Sequence, residues 1–167
     1  MKLTKHPLDA GTFQPGVNQW FERGRTWTLR WAYRAYGGIH PGIDFYAPVG
    51  RPVFHTVNKG RVIWVGKNGG YGLTVKVRCE WDNAHRNDIG VWYCHLTKAS
   101  PEMVVGNLVK EGQIIGYSGG AKGDPNAGYS TGPHLHFTYW DSSLKGVGKE
   151  HFVDPKPYFT EGGISLT

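Results

Sequence analysis

A chain of 167 residues, 39% hydrophobic and 19% charged, suits one packed domain, is short for two, and is not composed like a disordered segment. No apolar run approaches the roughly 20 residues of a membrane span. The net charge of +6 implies an anionic partner surface, for which nucleic acid, lipid headgroups and wall polymers all qualify. Nucleic acid is not expected, because the Lys and Arg residues are scattered and accompany no nucleic-acid motif.

In chain order, Met1 to Pro7 is basic but leads into no apolar core and no small-residue cleavage site, so no secretory signal is expected and synthesis in the cytoplasm is. Twenty-five glycines and ten prolines separate short apolar runs, the pattern of an all-β sandwich or barrel. Residues 27–33, 52–56, 60–67, 73–81, 90–96, 113–118 and 134–140 read as strands. No segment has a helical period. One short turn is expected at 100–103, and Gly106 and Gly112 make 104–112 a loop. The Gly/Pro/Asn/Ser-rich stretch 119–132 is a long loop that forms the wall of a groove, and 161–167 reads as a frayed tail. The fold expected is a mainly antiparallel all-β sandwich with a loop-walled groove over one sheet.

Two cysteines cannot make a metal knuckle, having no C-x-x-C spacing. A hairpin turning at 82–88 would oppose Cys79 and Cys94 in a symmetric register. In a reducing compartment two buried thiols are expected there rather than a bridge.

Chemistry concentrates in the histidines. On an extended segment His134 and His136 share one face with Thr138, while Leu135, Phe137 and Tyr139 point the other way. His40-Pro41-Gly42-Ile43-Asp44 adds an imidazole and a carboxylate in a Pro/Gly-broken segment, and His95 is a further donor. Two histidines and an aspartate, with a water, form the open tetrahedral shell of a catalytic zinc. His6, His55, His85 and His151 sit in no such motif and read as surface or packing residues, and the seven tryptophans read as core. Gly116-Tyr117-Ser118-Gly119-Gly120 matches the serine-hydrolase elbow only by accident, since no helix can follow it; H-E-x-x-H is absent.

The motifs His40-Pro41-Gly42-Ile43-Asp44, Tyr93-Cys94-His95-Leu96, Gly112-Gln113-Ile114-Ile115-Gly116-Tyr117-Ser118-Gly119 and Ser130-Thr131-Gly132-Pro133-His134-Leu135-His136-Phe137 together resemble the lysostaphin-type (LytM-like) zinc metalloendopeptidases, which cleave peptide bonds in bacterial peptidoglycan. Gly60-Arg61-Val62, Gly70-Tyr71-Gly72 and Val153-Asp154-Pro155 extend the resemblance over about 38–158, leaving residues 1–37 unplaced within a single peptidase domain spanning 1–167. It implies one Zn2+ on His40, Asp44 and His136, a catalytic pair in His95 and His134, and an oxyanion-stabilising tyrosine ahead of the first motif, either Tyr33 or Tyr36. A monomer acting on peptidoglycan is expected. A wall substrate without a signal peptide points to a bacteriophage endolysin or a peptidase carried on a virion. Two other classes compete. One is a wall-binding or regulatory domain that has lost catalysis, which the filled ligand positions disfavour. The other is a histidine phosphocarrier, which Asp44 disfavours.

Overall fold

The computed structural model describes residues 2–8, 15–24, 32–80 and 89–166, and among these are eleven strands, one complete α-helix and two 3-10 turns, Arg34–Tyr36 and Gly69–Tyr71. The strands are β1 (Val17–Gln19), β2 (Ile43–Tyr46), β3 (Pro52–Phe54), β4 (Lys59–Lys67), β5 (Leu73–Cys79), β6 (Ile89–Cys94), β7 (Leu96–Ala99), β8 (Leu108–Lys110), β9 (Ile114–Ser118), β10 (His134–Asp141) and β11 (Phe152–Val153); the helix α1 is Lys156–Glu161. An eight-stranded sheet runs in the order β1-β2-β10-β6-β5-β4-β8, with β11 paired to β10, and a three-stranded sheet runs β3-β9-β7. All the pairings are antiparallel, as a sandwich of hairpins and returning strands requires. No helix among the described residues is long and apolar enough to cross a membrane.

Alternation decides what faces the core. Ile43 and Phe45 of β2, Val75 and Val77 of β5, Val91 and Tyr93 of β6, and Leu135, Phe137 and Tyr139 of β10 are all sealed from solvent in one apolar cluster with Val53, Leu96 and Ile115 of the small sheet. The opposite face of the large sheet is covered too, by a second cluster of Trp92, Cys94 and Phe152 with Tyr36, Tyr71 and Trp140 around it. Central strands buried on both faces are uniformly apolar, which explains why β6 is buried along its whole length.

Several elements depart from the expected string. Segment 27–33 lies mostly outside the described residues, and its last two positions, Ala32 and Tyr33, are helical and turn-like rather than extended. Segment 90–96 divides at His95, whose φ of 57° ends β6 and sends the chain into β7 of the other sheet. Residues 104–112 contain β8, paired with β4; Gly106 and Gly112 turn the chain at its two ends, at φ 96° and 75°, and Val109 is fully buried. The helix α1 is a correction as well. Six residues are too few to show a period, but Pro155 and Pro157 at its start pre-set helical φ, and Phe159 fills the core against Phe45 and Phe137. The terminal segment is docked, not frayed: the Ile164 amide donates to the Phe159 carbonyl at 2.9 Å and Leu166 is buried.

The cysteines are free and buried, as thiols in a core should be. They are not opposed. The register pairs Lys76 with Trp92 and Arg78 with Gly90, which leaves Cys79 beside Gly60 of β4 and Cys94 beside His136 of β10. The 82–88 turn lies outside the described residues.

Candidate metal centre and its groove

Direct cross-strand partners line up Gln19, Asp44, His136 and Cys94 across β1, β2, β10 and β6. Side chains opposed in this way share a face, so the ladder itself brings Asp44 against His136 on the face away from the main core. His40 arrives from the turn just before β2. That turn passes so close beneath β10 that a Cβ on Gly42 would stand 2.4 Å from the Phe137 carbonyl oxygen and 2.9 Å from the His136 ring, so only glycine fits.

Three ligand atoms converge: His136 Nδ1 lies 2.7 Å from Asp44 Oδ1, His40 Nε2 lies 3.2 Å from the same oxygen, and the two ring nitrogens are 3.1 Å apart. A tetrahedral zinc with bonds of 2.0–2.1 Å separates its donors by about 3.3 Å, so this set fits the ion with small adjustments. A further observation agrees. The other nitrogen of His40, Nδ1, donates to the Trp20 carbonyl at 2.8 Å, which orients the ring with its Nε2 toward the cluster. His136 Nε2 is buried with no hydrogen-bond partner among the described residues. His40, Asp44 and His136 are buried and compose a group able to hold a metal ion.

His95 and His134 stand beside this cluster with their rings 4.7 Å apart. His95 donates from Nδ1 to the Ala127 carbonyl at 2.8 Å and His134 from Nδ1 to the Gly132 carbonyl at 2.8 Å, so both leave Nε2 free as an acceptor. His134 Nε2 lies 3.7 Å from Asp44 Oδ1. Burial, and then the neighbouring His134 and His136, push His95 down to about 3, so it is neutral near pH 7. Burial alone would raise the Asp44 carboxyl, but the charge of His40 and the hydrogen bonds from His136 and His40 hold it well below the usual carboxylate range.

The cluster opens into a groove of about 730 Å³ that holds all five of the expected side chains. Tyr129 to Pro133, from the loop read as a wall, line one part of it. Both candidate tyrosines line it too. The Tyr33 ring sits 5.2 Å from that of His40 and its hydroxyl donates to Gln19 Oε1 at 3.4 Å; the Tyr36 hydroxyl accepts a hydrogen bond from Tyr71 at 2.7 Å. Burial raises both phenols, so each keeps its proton. Tyr71, whose ring lies 5.5 Å from His136, enters the sequence reading only as part of the Gly70-Tyr71-Gly72 motif, with no site role, and Gln19, on a strand of three residues, is not singled out there. Ser118 is buried, donating to the Pro48 carbonyl at 2.6 Å and accepting from the Arg51 amide, which disposes of the hydrolase elbow. His6 and His55 are packing residues; His55 Nδ1 bonds the Tyr93 hydroxyl at 2.8 Å inside the core. His85 lies outside the described residues.

A protein-family profile described as Peptidase family M23 matches residues 38–155. The chain belongs to that family. M23 peptidases are zinc-dependent, and the His40, Asp44 and His136 cluster suits one Zn2+. The chain is 38% identical over 128 residues to lysostaphin of Staphylococcus staphylolyticus, a match that covers 76% of this chain and 23% of that one. It thus spans about a quarter of the length of that relative. The crystallised catalytic domain of the antimicrobial peptidase lysostaphin from Staphylococcus simulans superposes with a TM-score of 0.65 and 29% identity, over 86% of this chain and 91% of that one. A mutant catalytic domain of the prophage-encoded M23 protein EnpA of Enterococcus faecalis gives 0.62 and 25%, over 91% and 95%.

Proposed function

We propose that this M23 chain is a zinc endopeptidase that hydrolyses peptide bonds in bacterial peptidoglycan, in the stem peptide or the cross-bridge. The observation that carries the reading is the convergence of His40 Nε2, Asp44 Oδ1 and His136 Nδ1 beside two further histidines whose Nε2 atoms are free. In this reading the first three hold the metal. Zinc held there would supply Lewis acidity and lower the pKa of a water to about 7.

The chain's own groups do the rest. His95, neutral, and His134, both fixed by carbonyls at Nδ1, orient the attacking water through Nε2, take its proton and return one to the leaving amine. Tyr33 or Tyr36, protonated in the groove wall, donates to the oxygen on which negative charge grows. One chain supplies all five site residues, so the chemistry asks for no second subunit; the protein is read as a monomer, with residues 1–167 one peptidase domain. The filled set of five residues tells against a purely wall-binding role.

The test is mass spectrometry of peptidoglycan digests from several wall chemotypes. New amino termini that vanish with a zinc chelator, without new reducing sugar ends, are expected; full activity of metal-free protein would overturn the reading. The likeness to a prophage-encoded protein supports a phage lysis enzyme or virion peptidase. Cytoplasmic expression should then lyse a host only when a membrane pore is co-expressed, and lysis without the pore would count against it.

A further inference from the structure

The proposed chemistry leaves two members of the cross-strand row at the metal centre without a task, Cys94 and Gln19, and of these Gln19 is the one at the groove. It is directly paired with Asp44, 8% exposed, and lines the groove. Its Oε1 accepts from the Tyr33 hydroxyl at 3.4 Å, but its Nε2 is sealed from solvent with no hydrogen-bond partner among the described residues. A buried amide N–H without an acceptor is unfavourable, so the site calls for an acceptor close by. The nearest acceptor of suitable chemistry is set by the ladder: opposed residues on one face have Cβ atoms about 4.5–5.5 Å apart, within reach of a glutamine turning about its own χ angles. His40, His136 and His134 all approach Oδ1 of Asp44, at 3.2, 2.7 and 3.7 Å, so Oδ2 is the oxygen those three leave over.

We propose that Gln19 is a positioning residue for the metal centre, its Nε2 donating to Asp44 Oδ2 when Oδ1 ligates zinc, with its Oε1 tying Tyr33 of the groove wall to the same carboxylate. The inference rests on the metal-site reading given above. It gives the edge strand β1 a function: a three-residue strand outside the matched family region buttresses a ligand inside it. Partners of this kind hold a ligating carboxylate in one rotamer, and losing one weakens metal binding by about 10- to 100-fold.

The experiment is zinc affinity by chelator competition, with the absorption spectrum of the Co2+-substituted protein, for wild type, Gln19→Met, Gln19→Glu, Asp44→Ala and the double variant Gln19→Met/Asp44→Ala. Gln19→Met keeps the shape and removes the donor. Expected are zinc binding about tenfold weaker, a shifted cobalt spectrum, and a melting temperature of the metal-free protein no lower than wild type, since a buried unpaired donor is gone. Gln19→Glu, placing a second carboxylate beside Asp44, should rescue neither. In the Asp44→Ala background Gln19→Met should have no further effect on zinc affinity. Unchanged affinity and spectrum would overturn the assignment, as would a raised KM with normal zinc binding or an equal loss in the Asp44→Ala background. Failure of wild type itself to bind zinc would instead sink the parent reading.

Discussion

Replacing Gly42 by alanine should damage the metal centre from below, and its size can be worked out from the contacts. The new methyl carbon would sit 2.4 Å from the Phe137 carbonyl oxygen, 2.9 Å from His136 Cε1 and 3.0 Å from His136 Nε2. Phe137 belongs to β10, hydrogen-bonded between β2 and β6, so its carbonyl cannot retreat. The turn must move instead, by about 1 Å to regain ordinary contact, and it carries His40 on one side and Asp44 on the other. Overpacking of this kind costs about 1–3 kcal/mol. For a chain of this size that lowers the melting temperature by roughly 2–12 °C. Metal sites tolerate ligand displacements of only about 0.2 Å, so zinc affinity should fall at least about tenfold. Chelator competition and thermal melts with and without chelator measure the two effects. Gly132→Ala is the control, because its Cβ would meet nothing within 4 Å although it also lines the groove. Wild-type zinc affinity in Gly42→Ala would refute the claim that this close approach sets the ligand geometry.

Other outcomes follow from the same geometry. His40→Ala and Asp44→Asn should lose most bound zinc, read by metal analysis, whereas His95→Ala and His134→Ala should keep it while kcat falls about 10²- to 10⁴-fold. Burial pushes His55 down to about 3, against about 6.5 when unfolded. Below pH 6.5 the unfolded chain therefore takes up a proton that the folded chain refuses. His55 thus removes about 2 kcal/mol of stability between pH 7 and pH 5. His55→Gln, compared with wild type by urea unfolding in chelator, should lack that loss; parallel pH profiles would count against it. Because Cys79 and Cys94 are not opposed, a strong reductant should leave the melting temperature unchanged, and a drop would mean that a bridge had formed.

The sequence was legible wherever one strand could speak for itself. In β10 the alternation of Leu135, Phe137 and Tyr139 with His134 and His136 is a property of consecutive residues, and the observed faces follow it. The donor types at His40 and Asp44 were equally plain, but β2 was not: Pro41 and Gly42 read as a breaker, and only Ile43 and Phe45 mark the strand. What depended on a partner was hidden. The pairing of β5 with β6 is set by the whole hairpin, so a symmetric register opposes Cys79 and Cys94 where the observed one does not. No neighbour in sequence predicts that His95 takes a left-handed φ; its amide is held by the Tyr71 carbonyl and its ring by that of Ala127. Gln19 gained meaning only from Asp44, 25 residues later, and α1 only from the hole that Phe159 fills.

Since β10 sends alternate side chains to the core and to the groove, a slip of one position in its pairing would push both histidines into hydrocarbon and bring Leu135 and Phe137 to the metal. The misaligned chain would be unstable and inactive at once. Folding therefore acts as proofreading for the site: a molecule that has closed its core has already assembled its chemistry, and few stable but blank copies can accumulate.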